Sequence, residues 1–207
     1  MTFPVPQILC PGAAFGDLTA DPSQDPWSFC AGFSLKLNKD GATPKQGTEV
    51  RVGWSSDALR ILFLCEDTLP WATLTAHDAP LYKEEVVEVF IDTEGDGGGY
   101  FEIEVNPNNA VLDGCMRRVR SGYRKDFRWH CEGLRTAVRL FPGGWAVELA
   151  IPFQSLSGRA PEPGSHWRVN FTRIDRPEGA PRELSYWSPT GYDQFHMPEK
   201  FGVLTFV

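Results

Sequence analysis

Apolar residues recur at every second position in segment after segment of this chain, and that period allows strands and little else. Val50, Val52 and Trp54 alternate in EVRVGW, Val87, Val89 and Ile91 alternate with Glu88 and Phe90, and Phe101, Ile103 and Val105 alternate with Glu102 and Glu104. Trp145, Val147, Leu149 and Ile151 repeat the pattern, Val169 and Phe171 follow it, and the chain closes with FGVLTFV. Successive side chains of a strand point to opposite faces, so this spacing predicts strands with one buried face. The run Leu59, Ile61, Phe63 and Cys65 differs, because Leu62 and Leu64 fill the intervening positions. A strand apolar on both faces is expected to be covered on both. Turn chemistry separates the segments: Ser56-Asp57, the stretch Glu94 to Gly99, and Pro142-Gly143-Gly144. Short strands joined by such turns predict an all-β, antiparallel, jelly-roll-like β-sandwich. Helix should be limited to a turn or so after Pro152, at FQSL. The 207 residues show no internal repeat or low-complexity linker, so a single domain over 1–207 is expected.

Composition excludes several functions. The formal net charge is −7, whereas a nucleic-acid binder needs a clustered basic face to neutralise phosphates. The one basic cluster, Arg117, Arg118, Arg120, Arg124 and Lys125, reads as a solvated hairpin in an acidic whole. The five cysteines are odd in number and none forms a C-x-x-C pair, so neither a full disulfide framework nor a zinc site follows. Cys65 reads as a buried thiol. MTFPVPQILCPG has no basic segment followed by an apolar one, and no apolar run approaches bilayer-spanning length. As written, the chain is expected to be cytoplasmic, with neither membrane nor nucleic acid as partner.

Five stretches then acquire meaning together: VGWSSDALRILFLCED (52–67), YKEEVVEVFID (82–92), GGWAVELAIPFQSL (143–156), WRVNFTRID (167–175) and YWSPTGYDQFHMPEKFGVLTF (186–206). In this order they resemble the family 9 carbohydrate-binding modules; residues 1–48 match less well. The resemblance implies non-catalytic binding of a pyranose, from a glucan or xylan fragment, clamped between two aromatic rings. Tyr82 and Phe195 stand at the ring positions. Glu88 stands at the carboxylate position of the V-E-x-F-I-D strand, and Tyr192 or Asp193 at the polar position of the closing loop. The chain departs from the family where both rings are smaller than Trp, where Glu104 replaces an Arg and where Thr172 replaces a Gln. A mono- or oligosaccharide is the implied ligand, and a separately made glycoside hydrolase the implied working partner.

The chemistry of the candidates agrees with that reading. Sugars present C–H faces ringed by hydroxyls, so rings cover the faces while charged groups answer the hydroxyls. Tyr82 and Phe195 supply the first need; Glu88, Asp193 and Arg173 are candidates for the second. Asp92, Glu94 and Asp96 place oxygens at alternate positions of a glycine-rich turn, as a calcium loop does, although Ile103 stands where an EF-hand has Glu. Structural calcium is the expected cofactor; an acidic turn is the ordinary alternative.

Two further functions are open. Glu102, Glu104 and Asp113 could serve as glycoside hydrolase carboxylates, although alternating glutamates are more often a solvated strand face. A haem-binding β-sandwich would draw axial ligands from Met116, Met197, His196 and Lys200. No G-x-S-x-G, HExxH or P-loop pattern occurs, and His77, His130, His166 and His196 lack metal-ligand spacing.

Overall fold

A computed structural model describes residues 3–177 and 181–207. Its strands, in chain order, are β1 (Gln7–Cys10), β2 (Gly32–Ser34), β3 (Lys36–Leu37), β4 (Thr48–Trp54), β5 (Ala58–Glu66), β6 (Val86–Asp92) and β7 (Gly99–Val105). These are followed by β8 (Val111–Val119), β9 (Gly122–Asp126), β10 (Arg135–Phe141), β11 (Gly144–Pro152), β12 (His166–Asp175), β13 (Glu183–Tyr186) and β14 (Gly202–Phe206). Among the described residues the single α-helical turn, α1 (Phe153–Leu156), starts right after Pro152, as the sequence suggests.

The strands form two sheets. The larger runs β1-β14-β12-β6-β7-β8-β9, with β13 flanking the second half of β12 and β3 flanking β13. The smaller runs β10-β11-β5-β4-β2. All-β architecture in a sandwich is therefore correct. One pair departs from the antiparallel expectation: β1 lies parallel to β14, from Gln7 against Val203 to Cys10 against Phe206. No hairpin joins these two strands, so no tight turn fixes their relative direction.

The inner faces pack as the alternation requires. Val50, Val52, Leu59, Ile61, Phe63, Trp145, Val147 and Leu149 meet Val87, Val89, Ile91, Ile103, Val105, Val169 and Phe171 in one buried cluster. Phe101 is only partly buried; its ring lies 4.7 Å from Trp129. The outer face of β5 is covered too, because Ala20, Trp27 and Cys30 of the N-terminal segment pack on Leu62 and Ala146. Glu148, buried beneath that segment, accepts the backbone N–H groups of Thr19 and Ala20 at 2.9 and 3.0 Å and pairs with Arg60. The N-terminal residues thus belong to the sandwich. All five cysteines are free and buried. Burial pushes the Cys65 and Cys131 thiols up to about 12, which keeps them protonated and unreactive. Among the described residues no helix is long and apolar enough to cross a membrane.

The closing Trp-Ser and Phe-Gly pattern has a packing cause. Trp187 covers Gly202, where an added Cβ would lie 2.2 Å from the ring atom Cζ3. Ser188 ties the same corner, donating its hydroxyl to the Lys200 carbonyl at 2.6 Å and its N–H to Asn170 Oδ1 at 2.9 Å. Overpacked interiors lose roughly 1–3 kcal/mol. Gly202→Ala should therefore lower unfolding free energy by about that amount in urea titration; parental stability would show that the glycine is not required by Trp187.

Candidate carbohydrate-binding cleft

The outer face of the larger sheet carries a cleft of about 250 Å³, whose lining includes Tyr82, Glu88, Glu102, Glu104, Phe195 and His196. Its floor follows from strand parity. Val87, Val89 and Ile103 enter the core, so Glu88, Glu102 and Glu104 point the other way. Register brings them together: Glu88 lies opposite Glu104 on one side and Thr172 on the other. Thr172 donates its hydroxyl to Glu88 at 2.9 Å.

These glutamates are not a solvated face. Glu88, Glu102 and Glu104 are 1%, 4% and 2% exposed, because loops and the β8–β9 hairpin wall in this side of the sheet. Burial, then the negative charge of nearby Glu102, pushes Glu88 up to about 8. Burial pushes Glu102 up to about 7, against the pull of Lys125. Burial followed by repulsion from Glu88 and Glu102 holds Glu104 well above the usual carboxylate range. One oxygen of Glu102 and one of Glu104 are buried without a hydrogen-bond partner.

Tyr82 stands at the cleft mouth on a single 3-10 turn, Leu81–Lys83, and is 45% exposed. The acidic pair behind it is structural. Glu84 accepts the N–H groups of Thr73 and Leu74 at 2.6 and 3.0 Å, and Glu85 accepts that of Trp71 at 3.1 Å. This pins the loop leading to Tyr82. Phe195 also lines the cleft, but its ring is stacked 5.9 Å from Phe90 and lies 4.7 Å from Tyr186. It forms a packed wall more than a free ring. The second exposed ring is Phe127, 38% exposed, which lies across Gly114; a Cβ there would sit 2.8 Å from its Cδ1.

Lys125, Arg182, Asp193 and Gln194 complete the polar rim. Lys125 Nζ lies 2.6 Å from His196 Nε2, and Tyr100 OH lies 2.9 Å from His196 Nδ1. Burial, reinforced by Lys125, lowers His196 to about 4, so the ring is neutral, accepting from Lys125 and donating to Tyr100. Asp193 also pairs with Lys39 at 3.2 Å.

Other expected roles are redrawn. Arg173 is fully buried on the inward side of β12, pairing with Asp67 at 2.7 Å and Asp175 at 3.0 Å and donating to the Glu66 carbonyl at 2.8 Å. It shares the parity of Val169 and Phe171, which puts it inside and out of reach of a sugar in the cleft. Tyr192 is 62% exposed and outside the cleft lining; its backbone carbonyl, bonded by Asn38 and Thr190, shapes the closing loop. Asp92 spends its carboxylate on the N–H groups of Glu94, Gly95 and Gly97 at 3.1, 2.7 and 2.9 Å, and Asp96 accepts from Gly98 at 2.6 Å. Among the described residues, Asp92, Glu94 and Asp96 do not gather into a potential metal-ligand group. They cap a turn. Asp113 points to the core side of the sheet, opposite Ile103, and so cannot join Glu102 and Glu104 in hydrolysis. Two of the four candidate haem ligands are committed elsewhere: both His196 nitrogens are engaged, and Met116 is sealed among Phe90, Tyr100 and Phe201.

The family model for carbohydrate family 9 binding domain-like proteins matches residues 26–207. The chain belongs to this family. Among curated relatives of this carbohydrate family 9 domain, endo-1,4-beta-xylanase A of Thermotoga neapolitana is 27% identical over 187 residues, covering 88% of this chain and 16% of the enzyme. The Thermotoga maritima counterpart is 25% identical over 207 residues, covering 97% and 18%. The chain thus spans less than a fifth of either relative. A family 9 carbohydrate-binding module from Caldicellulosiruptor kristjanssonii shares the fold. Its cellotriose complex matches with TM-score 0.70 and 21% identity, covering 97% of this chain and 93% of that one. Its glucose complex matches with 0.68 and 20%, covering 97% and 95%.

The buried glutamates set a pH dependence. Their folded-state pKa values are raised, so the native domain holds protons that the unfolded chain has released, and stability falls as pH rises toward about 8. His196, lowered to about 4, acts oppositely, but only up to its ordinary value of 6.5. Between pH 6.5 and 8 the carboxylates should therefore dominate. Unfolding free energy measured in urea should drop there, by up to about 1.4 kcal/mol per pH unit for each proton of difference. Glu102→Gln should reduce the drop, part of which remains with Glu85, pushed up to about 8 by burial and then by its hydrogen bond with Asp67; an equal slope in parent and variant would remove the cleft glutamates as its source.

Proposed function

We propose that the cleft binds a gluco-configured pyranose, at the end of or within a short glucan or xylan fragment, without cleaving it. The observation that carries the reading is the pair of buried carboxylate oxygens on Glu102 and Glu104 that lack partners, beneath the exposed rings of Tyr82 and Phe127. Buried acceptors are costly when unpaired. Sugar hydroxyls are donors of the right kind, and rings beside them suit C–H faces. Carboxyls protonated near neutrality can also donate, so each glutamate can meet a hydroxyl in either role. Lys125 and Arg182 offset whatever negative charge remains. The clamp in this reading is Tyr82 with Phe127, while Phe195 supplies the apolar back wall. The glucose and cellotriose complexes of the Caldicellulosiruptor module support the ligand class. The match to part of two xylanases supports a role beside a glycoside hydrolase, holding substrate near its active site.

Calorimetric titration with glucose, cellotriose and xylotriose tests the proposal. Saturable binding in the micromolar to millimolar range is expected, with no reducing ends released. Tyr82→Ala and Phe127→Ala should each weaken binding roughly tenfold or more. Saturation with turnover would replace the binding reading by a hydrolytic one, and parental affinity in both variants would move the site elsewhere.

Arg173 separates scaffold from site. Arg173→Gln leaves Asp67 and Asp175 buried without their cation, which typically costs about 3–5 kcal/mol. The loss should appear in urea unfolding, while sugar affinity of the folded fraction stays at the parental value. A selective loss of affinity with unchanged stability would return Arg173 to the binding site.

A further inference from the structure

On the opposite side of the larger sheet, four side chains converge that sequence spacing did not connect. His77 and Asp78 come from the loop before the Tyr82 turn, Asp113 from β8, and His130 from the connection between β9 and β10. Their ligand atoms all lie within 4.8 Å of one another. His77 Nε2 is 3.3 Å from Asp113 Oδ1, 3.5 Å from Asp78 Oδ1 and 3.4 Å from His130 Nδ1. His130 Nδ1 is 3.2 Å from Asp113 Oδ1 and 4.0 Å from Asp78 Oδ2.

We propose that these four residues bind a divalent transition-metal ion of the zinc, cobalt or nickel class. The spacing fits that ion. Ligands about 2.0–2.1 Å from a tetrahedral centre stand roughly 3.3–3.4 Å from one another, which is the separation seen between both imidazole nitrogens and Asp113. Hydrogen bonding accounts for the triangle less well. Each neutral imidazole has one N–H, so protons cannot satisfy every edge among two nitrogens and an oxygen, whereas a central cation uses all three lone pairs. Two imidazoles with two carboxylates also match the ligand preferences of these metals better than those of calcium or magnesium.

A second feature points the same way. The Asp113 side chain is 2% exposed. Its Oδ2 accepts the Cys131 N–H at 2.6 Å, which fixes the carboxylate and aims Oδ1 at both imidazoles. The imidazoles are about half exposed, at 52% and 56%, so an ion can enter from solvent through a depression of about 260 Å³ that His77, Asp113 and His130 help to line. Cys131 lies in the same depression, but its sulfur is not among the ligand atoms that gather within 4.8 Å of one another. A bound ion would tie the Tyr82 loop to the crossing from the larger sheet to the smaller.

Cobalt(II) titration of tag-free protein tests the site, because a tetrahedral site with nitrogen and oxygen ligands gives intense visible d–d bands. One equivalent should saturate the bands, zinc should displace them, and zinc should raise the melting temperature of the parent. His77→Ala and His130→Ala should each weaken binding at least tenfold, while His166→Ala leaves it unchanged. Both replaced histidines are exposed, so metal-free melting curves should match the parent. No saturable band at millimolar cobalt, or an unaltered band in both variants, would overturn the proposal.

Discussion

Everything in this domain depends on one surface having two different jobs. β6, β7 and β12 lie side by side at the centre of the larger sheet, and a strand can face two environments because alternate residues diverge. One face supplies Val87, Val89, Ile103, Val105, Val169 and Phe171 to the apolar interior. The other supplies Glu88, Glu102, Glu104 and Thr172 to a cleft. A one-residue slip of register would exchange the two sets, burying carboxylates between the sheets. Fold and ligand chemistry are therefore set by the same hydrogen-bond ladder.

The smaller sheet supports this surface by a different device. Arg173 reaches inward from β12 to backbone and side-chain acceptors at the ends of β4 and β5, placing a cation between two largely apolar layers. Its position over the Trp145 ring, 6.0 Å from the centroid, adds an aromatic contact. A buried ion pair adds little net stability over an apolar packing, but removing one partner is costly because the other charge is left buried and unpaired. Here the arginine and its partners tie β12 to the ends of β4 and β5 on the inward side of the sheet, away from the cleft lining.

Strand parity was legible in the sequence wherever one face was plainly apolar, so the sandwich and the outward aim of Glu88 followed directly. The same parity already placed Arg173 inside, in line with Val169 and Phe171; treating it as a sugar ligand set residue chemistry above residue direction. What local pattern could not convey was what covers an outward face. Glu102 and Glu104 look solvated until β9, the Tyr82 loop and the closing loop are in place, all brought there by distant contacts. Phe127 and Arg182 had no local signal, and Lys125 was hidden among the arginines of a basic hairpin. His77 and His130 stand 53 residues apart, and only the folding of two loops onto β8 makes them neighbours.

The outer wall of the cleft is carried by an edge. β9 pairs with β8 alone, and it delivers Lys125 and leads directly to Phe127. Edge hairpins open locally at lower free energy than central strands, since fewer bonds hold them. In the proposed complex, whatever a saccharide gains by touching that wall is offset in part by the ordering of the hairpin, and binding should protect its amides from hydrogen exchange more than those of the central strands. In the proposed complex, substitutions in the β8–β9 turn, at Arg120 and Ser121 outside the cleft lining, would then alter affinity through the stability of the hairpin.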